Sequence, residues 1–386
     1  MQQQAVESTP VVDQPRSAPR PTVFFHRSNP AQAADSHDAV TKAHVARSLA
    51  SLLGGEFGGD LPPQRHGTAP AYLVPTETLT SLAEARRLGI TGVADLFGGV
   101  VPHPFVATKL ISHPLVDDAM AAPVGWSRAC GERNRSAVLP GYSVFSANDA
   151  RKAFELLAAA GDVRLKDPGG VGGAGQWVAR DRDDFESRLA RFDAETLATH
   201  GLVLEPDLHE PRTYSVGQVV VGDLKACYIG VQSLTRNNHG HEVYGGSSLL
   251  VTRGAMGSLL QLGLEPAMHT AVQQALVYHH AAMDCFTGMF ASRCNYDVIQ
   301  GRDAAGRQHS GVLEQSWRIG GASGAEAAAL HAFREHPRLQ RVRASTVEVY
   351  GDAVRLPSGA KVTYSGVDAQ AGRLTKYVLV ATHVDA

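Results

Sequence analysis

The chain has 386 residues, too many for one ordinary domain and enough for two or three packed units with substantial cores. Its formal net charge is −2, and 19% of its residues are charged, so no strong field favours nucleic acid or an anionic membrane as a partner. Four dispersed cysteines (Cys130, Cys227, Cys285, Cys294) form no C-x-x-C pair, which leaves no sign of a disulfide framework or zinc knuckle and fits a reducing, cytoplasmic setting.

Residues 1–20 are polar and Pro-rich, lack the apolar core of a secretory signal, and read as a disordered tail. No run of about 18 apolar residues follows, which argues against a membrane-spanning helix. "TVFFH" (22–26) reads as a buried strand, and the segment from Ser36 to Gly55 as a helix capped by Ser36 and stopped by glycine. "AYLVP" (71–75) is a second strand, and Thr76 is the expected cap of a helix over "TETLTSLAEARRLGI". Strand and helix in alternation predict a small parallel α/β unit over 21–105.

The next unit, 106–203, begins near "HPFVATKLISHPLV". "AVLPGYSVFS" (137–146) reads as extended. Ser146 then caps a helix that stops at Gly161, with Asp149 three residues after the cap. "DVRLKDP" is a strand, the glycine-rich run after it a turn, "QWVARD" a strand and "RDDFESRLARFD" a helix. In the next unit, 204–335, the pattern turns β-rich from 212. It contains a hairpin at Gly222-Asp223, a long helix over 265–285, and two strands, "NYDVIQ" and "GVLEQSWR", joined by a polar loop. Residues 336–386 read as a small β-rich C-terminal extension. The class is α/β with much antiparallel strand. "HGH" at 239–241 admits a metal-binding reading, but an exposed loop fits it better.

The glycine run "DPGGVGGAGQWV" satisfies G-x-G-x-x-G at Gly170, Gly172 and Gly175. A dinucleotide fingerprint needs a helix directly after the glycines, and a strand pattern follows instead. A Walker A loop needs Gly-Lys-Ser/Thr, which is absent. What fits is a β-hairpin with a glycine tip, whose bare backbone amides approach phosphate oxygens, preceded by Lys166 as a point charge. A plain mobile surface hairpin is the competing reading. Farther on, "VLEPDL" (203–208) is an apolar strand ending in open backbone, suited to the edge of a purine. Asp297 and Glu314 lie on successive strands, where antiparallel pairing brings two hard oxygen ligands to one face.

The ordered set (lysine strand, glycine hairpin, hinge, carboxylate strand pair) resembles the ATP-grasp superfamily over roughly 105–325, in a bacterial branch outside the named ligase subfamilies. The resemblance implies a pre-ATP-grasp α/β domain at 21–105, a two-lobed ATP-grasp domain (106–203 and 204–335), and the extension. It assigns phosphate binding to Lys166 and Lys109, and a flap to Gly170, Gly172, Gly173 and Gly175. Glu205 and Leu208 fall at the adenine and ribose hinge. Arg318 falls on the basic residue that faces substrate or phosphate, so that Arg318 and Lys166 carry the catalytic assignment. Asp297, Glu314 and Ser316 become ligands of Mg2+, with Mn2+ an alternative.

In the family the second carboxylate heads Glu-x-Asn-x-Arg. Here Ser316 replaces the asparagine, which puts a second metal ion in question. The implied reaction is activation of a small-molecule carboxylate by ATP as an acyl phosphate, then attack by an amine or thiol. Alternatives are a biotin-carboxylase-like enzyme, a non-catalytic nucleotide-binding protein of the same fold and, less well matched, a Rossmann oxidoreductase. Dimeric relatives make a homodimer an expectation; nucleic acid and membrane are not expected partners.

Overall fold

The computed structural model describes residues 20–27, 35–63, 70–170, 175–352 and 354–381. Most of the expected tail, and Gly172 and Gly173 of the expected flap, lie outside these residues.

The first unit is a three-stranded parallel sheet. β1 (Thr22–His26) lies between β2 (Glu56–Asp60) and β3 (Ala71–Pro75), with α1 (His37–Leu52) as the crossover. Ser36 caps α1 as the sequence predicts, its hydroxyl accepting from the Ala39 amide. β2 has no counterpart in the sequence reading, because "EFGGD" lacks apolar alternation. The helix after β3 is shorter than expected. α2 spans Leu82–Arg87 and is capped by Ser81, whose hydroxyl accepts from the Glu84 amide. Thr76 instead continues the strand end, its amide bonded to the His26 carbonyl. A short strand, β4 (Gly99–Val100), closes the unit.

α3 (Arg128–Asn134) precedes a four-stranded antiparallel sheet of order β5-β8-β6-β7, built from β5 (Tyr142–Val144), β6 (Val163–Lys166), β7 (Gln176–Ala179) and β8 (Leu202–Pro206). α4 (Ala147–Ala158), α5 (Arg182–Leu189) and α6 (Ala194–His200) belong to this lobe. Leu165, Leu204, Phe154 and Phe185 form its core. The alternation that buries Leu165 and Leu204 among the helices turns Arg164, Lys166 and Glu205 to the other face.

The largest layer is an eight-stranded sheet in which every neighbouring pair is antiparallel. It contains β9 (His209–Val221), β10 (Leu224–Arg236) and β11 (Glu242–Arg253). After α7 (Pro266–Cys285) and the two-residue β12 (Phe290–Ala291) come β13 (Arg293–Arg302) and β14 (Gln308–Ser316). After α8 (Ser323–Glu335) come β15 (Arg341–Tyr350), β16 (Lys361–Asp368) and β17 (Gly372–Ala381). The order is β14-β13-β9-β10-β11-β15-β17-β16. The strands expected as a separate C-terminal extension therefore lengthen this sheet, β15 pairing with β11. The exposed loop expected at 239–241 lies between β10 and β11.

Period-two alternation sorts the sheet into two faces. Tyr214, Val216, Ile229, Tyr296 and Val298 share a core with Ala271, Ala275 and Tyr278 of α7. Tyr228, Leu249 and Val251 share one with Leu330 and Phe333 of α8 and Leu49 of α1. No described helix is long and apolar enough to cross a membrane.

Candidate active site

Asp297 and Glu314 are direct cross-strand partners on β13 and β14. Their spacing in an antiparallel pair puts both carboxylates on one side, the α8 side, with a bulge immediately after Asp297. Asp297 is half-buried. Three donors meet on its Oδ1: Ser215 Oγ at 3.1 Å, Gln232 Nε2 at 3.0 Å and Asn295 Nδ2 at 2.9 Å. Among the described residues none donates to its Oδ2. Burial and the neighbouring Glu314 charge push the Asp297 carboxyl up to about 6, against the pull of the three hydrogen bonds.

Lys109 stands across from this pair. It lies at the start of the 3-10 turn Lys109–Ser112 and is 4% exposed. Its ammonium donates to the Gly170 carbonyl at 2.6 Å and pairs with Glu314 Oε2 at 3.0 Å. One side chain thus joins the entrance of the glycine hairpin to a carboxylate of the large sheet. The residue after Glu314 fixes this arrangement. Gln315 Nε2 donates to the carbonyls of Val106 and Thr108 at 2.9 and 2.6 Å, while its Oε1 accepts from Tyr278 of α7 at 2.6 Å.

β6 and β7, which flank the glycine segment, pair antiparallel as the sequence predicts, with Lys166 opposite Gln176. Asp167 organises its base. The Asp167 amide donates to the Gly175 carbonyl at 2.8 Å, and its carboxylate accepts from the Gly169 amide at 2.8 Å. Gly175 sits at φ +69°, and a Cβ there would meet the Asp167 side chain at 2.8 Å, so the turn requires glycine.

Lys166, 3% exposed, forms an ion pair with Glu205 Oε1. The other oxygen of Glu205 lies 3.2 Å from His113 Nε2. Burial alone would push the Glu205 carboxyl up, but the Lys166 charge and the His113 hydrogen bond outweigh it and hold it at about 2. Glu205 is therefore ionised, and His113 must be the donor. Both oxygens of Glu205 are thus engaged inward. Leu208 is buried, with Gly301 of β13 close beneath it. Asp207 pairs with Arg164, its Oδ1 accepting from Nε at 2.9 Å.

His113 is a buried partner of Glu205 that the sequence reading does not find, since the two are 92 positions apart. Replacing it with alanine leaves one oxygen of a buried carboxylate unpaired. The expected loss is about 1–3 kcal/mol of stability, and His113→Gln, which keeps an N–H donor, should recover much of it. Equal melting temperatures for the alanine variant and the wild type would contradict the contact.

Arg318 directs its Nε to Glu77 of the first unit at 3.2 Å. It stands where the large sheet meets the end of β3. Gly99 of β4 makes that approach possible, because a Cβ there would lie 2.7 Å from that of Trp317. Ser316 does not face a free oxygen cluster: its Oγ accepts from Arg293 Nη1 at 3.2 Å. His239 and His241 are exposed, their ring centroids 6.4 Å apart. Among the described residues no group of three or more His, Cys, Asp and Glu side chains gathers to hold a metal.

A family model described as "Protein of unknown function (DUF3182)" matches residues 25–378. The chain belongs to that family. A search of curated proteins finds no match to the chain. Among solved structures, the chain is similar to N5-carboxyaminoimidazole synthetase from Staphylococcus aureus complexed with ADP. The identity is 11%, 94% of each chain is covered, and the TM-score is 0.51. Biotin carboxylase from Campylobacter jejuni gives 12% identity over 93% of this chain and 82% of that one, with a TM-score of 0.49. D-alanine–D-alanine ligase from Bacillus anthracis gives 9% over 81% and 92%, with a TM-score of 0.44. The chain has the fold of that synthetase, in line with the fold expected from the resemblance to the ATP-grasp superfamily.

Proposed function

We propose that the chain is an ATP-dependent ligase that binds Mg-ATP between the β5–β8 lobe and the large sheet and activates a small-molecule carboxylate for attack by an amine or thiol. One observation supports this reading: Lys109 bonds both the Gly170 carbonyl at the entrance of the glycine hairpin and Glu314, the cross-strand partner of Asp297.

The donor set fits a hard divalent cation. Among the described residues, Asp297 Oδ2 receives no hydrogen bond and Glu314 pairs only with Lys109, whose ammonium is itself a cation at that carboxylate. Asp297 and Glu314 would hold Mg2+, which would neutralise charge on the transferred phosphoryl group. The chain's own groups do the rest. Lys109 and Lys166 draw the triphosphate into a site where both ammonium groups are already desolvated. Apolar Leu208 with the backbone beside Glu205 borders the base. Arg318, which pairs with Glu77 here, would orient the carboxylate substrate. No side-chain nucleophile is required, because phosphoryl transfer rests on positioning and electrostatics.

The test is ADP release with hydroxylamine present, which traps an acyl phosphate as a hydroxamate. Release that requires both Mg2+ and one member of a carboxylate panel, with matching hydroxamate, is the expected result. Nucleotide binding with no carboxylate-dependent release over a broad panel would contradict the ligase reading.

A further inference from the structure

The resemblance to ATP-grasp enzymes makes Ser316 a third metal ligand, and the structure disagrees. Arg293 of β13 is 2% exposed and lies behind the paired carboxylates. Its Nη1 donates to Ser316 Oγ at 3.2 Å, to the Ser316 carbonyl at 3.3 Å and to the Arg318 carbonyl at 2.7 Å. Its Nη2 pairs with Glu326 of α8 at 2.8 Å, and the glutamate is fully buried. The Tyr228 hydroxyl lies 2.6 Å from Glu326 Oε1 and 3.0 Å from Asn295 Oδ1. Asn295, the cross-strand partner of Ser316, closes the chain by donating to Asp297 Oδ1 at 2.9 Å.

This network takes up the oxygens a second cation would use. Ser316 Oγ faces a guanidinium, Asn295 Oδ1 faces Tyr228, and Asp297 Oδ1 carries three donors. The guanidinium cannot readily swing away, because separating it from Glu326 would leave two buried charges unpaired. What remains for metal is Asp297 Oδ2 and the Glu314 carboxylate, a set that suits one Mg2+ completed by phosphate oxygens and water.

We propose that this chain binds its nucleotide with a single divalent cation, on Asp297 and Glu314, and that Ser316 is a positioning residue tied to the Arg293–Glu326 pair instead of a metal ligand. The proposal rests on the nucleotide reading and adds to it the number of cations and their ligands.

Mn2+ titrated into the protein with β,γ-methylene-ATP, followed by electron paramagnetic resonance, tests it. The expected result is one Mn2+ per chain without spin coupling between metals. Ser316→Ala should leave the count unchanged and the Mn2+ affinity within about twofold, whereas Glu314→Gln should weaken it by about tenfold or more. Two Mn2+ per chain, or loss of one equivalent on Ser316→Ala, would overturn the proposal while leaving the nucleotide reading intact. A fluorescent ATP analogue run in parallel separates the two failures. If it does not bind the wild type with or without Mn2+, the nucleotide reading falls and the single-cation proposal falls with it.

Discussion

Glu205→Ala should lose about 3–5 kcal/mol of stability, the cost of breaking a buried ion pair by removing one partner. The substitution strands the Lys166 ammonium at 3% exposure and takes away the acceptor of His113. Replacing both members with apolar residues of similar size, Lys166→Met with Glu205→Leu, should recover most of that loss, because no uncompensated charge then remains. The pH dependence follows from the same pair. The Glu205 carboxyl is held at about 2 in the folded state, below its ordinary 4.5. Its contribution is therefore fully present above pH 4.5 and is lost as pH falls toward 2. Denaturation of wild type and Glu205→Ala at pH 7 and pH 3 checks both statements. The gap between the two proteins should be wide at pH 7 and narrower at pH 3. A gap under about 1 kcal/mol at pH 7 would refute the buried-pair account.

Asp297→Asn should remove turnover and, at the same time, stabilise the ligand-free protein. Burial and Glu314 lift the Asp297 carboxyl to about 6, above its ordinary 3.8. A carboxyl whose folded pKa is raised costs stability at pH values above that pKa, and the cost is relieved as pH falls through it. The amide removes the repulsion against Glu314 while keeping an oxygen for Ser215, Gln232 and Asn295. The expected gain at pH 7 is about 1–3 kcal/mol, fading near pH 4. Activity should fall by about a thousandfold or more, on the scale of losing a group that stabilises transition-state charge. A variant less stable than wild type at pH 7, or one that keeps turnover, would contradict the reading. Such opposition between stability and activity is expected where two acids are held face to face for a cation.

Much of this site is visible in the sequence because its signals are local. Lys166, the glycines and "QWVA" read as strand, turn, strand from neighbours alone, and Ser36 and Ser146 cap their helices as their spacing indicates. Asp297 and Glu314 share a hairpin, so their pairing needs only alternation and a turn. The unread parts depend on distant partners. His113 looks like an ordinary loop histidine until Glu205 is brought beside it. Arg293 and Glu326 read as a strand charge and a helix charge until α8 packs on the sheet. The last three strands were legible as strands, but their attachment to β11 lies across a long separation that local patterning does not encode. Thr76 reads as a cap from local pattern, but Ser81, a better-placed hydroxyl five residues on, takes that role, and the glycines of β2 hide its period.

The central claim is that a nucleotide triphosphate lies between Lys109 and Lys166 on one side and Asp297 with Glu314 on the other. A crystal structure of the chain with Mg2+ and β,γ-methylene-ATP tests it most directly. The account predicts the triphosphate under the β6–β7 hairpin, Lys109 moved from Glu314 onto phosphate, and a cation on the two carboxylates. A nucleotide bound elsewhere, or an unchanged Lys109–Glu314 contact with the analogue at saturating concentration, would contradict it.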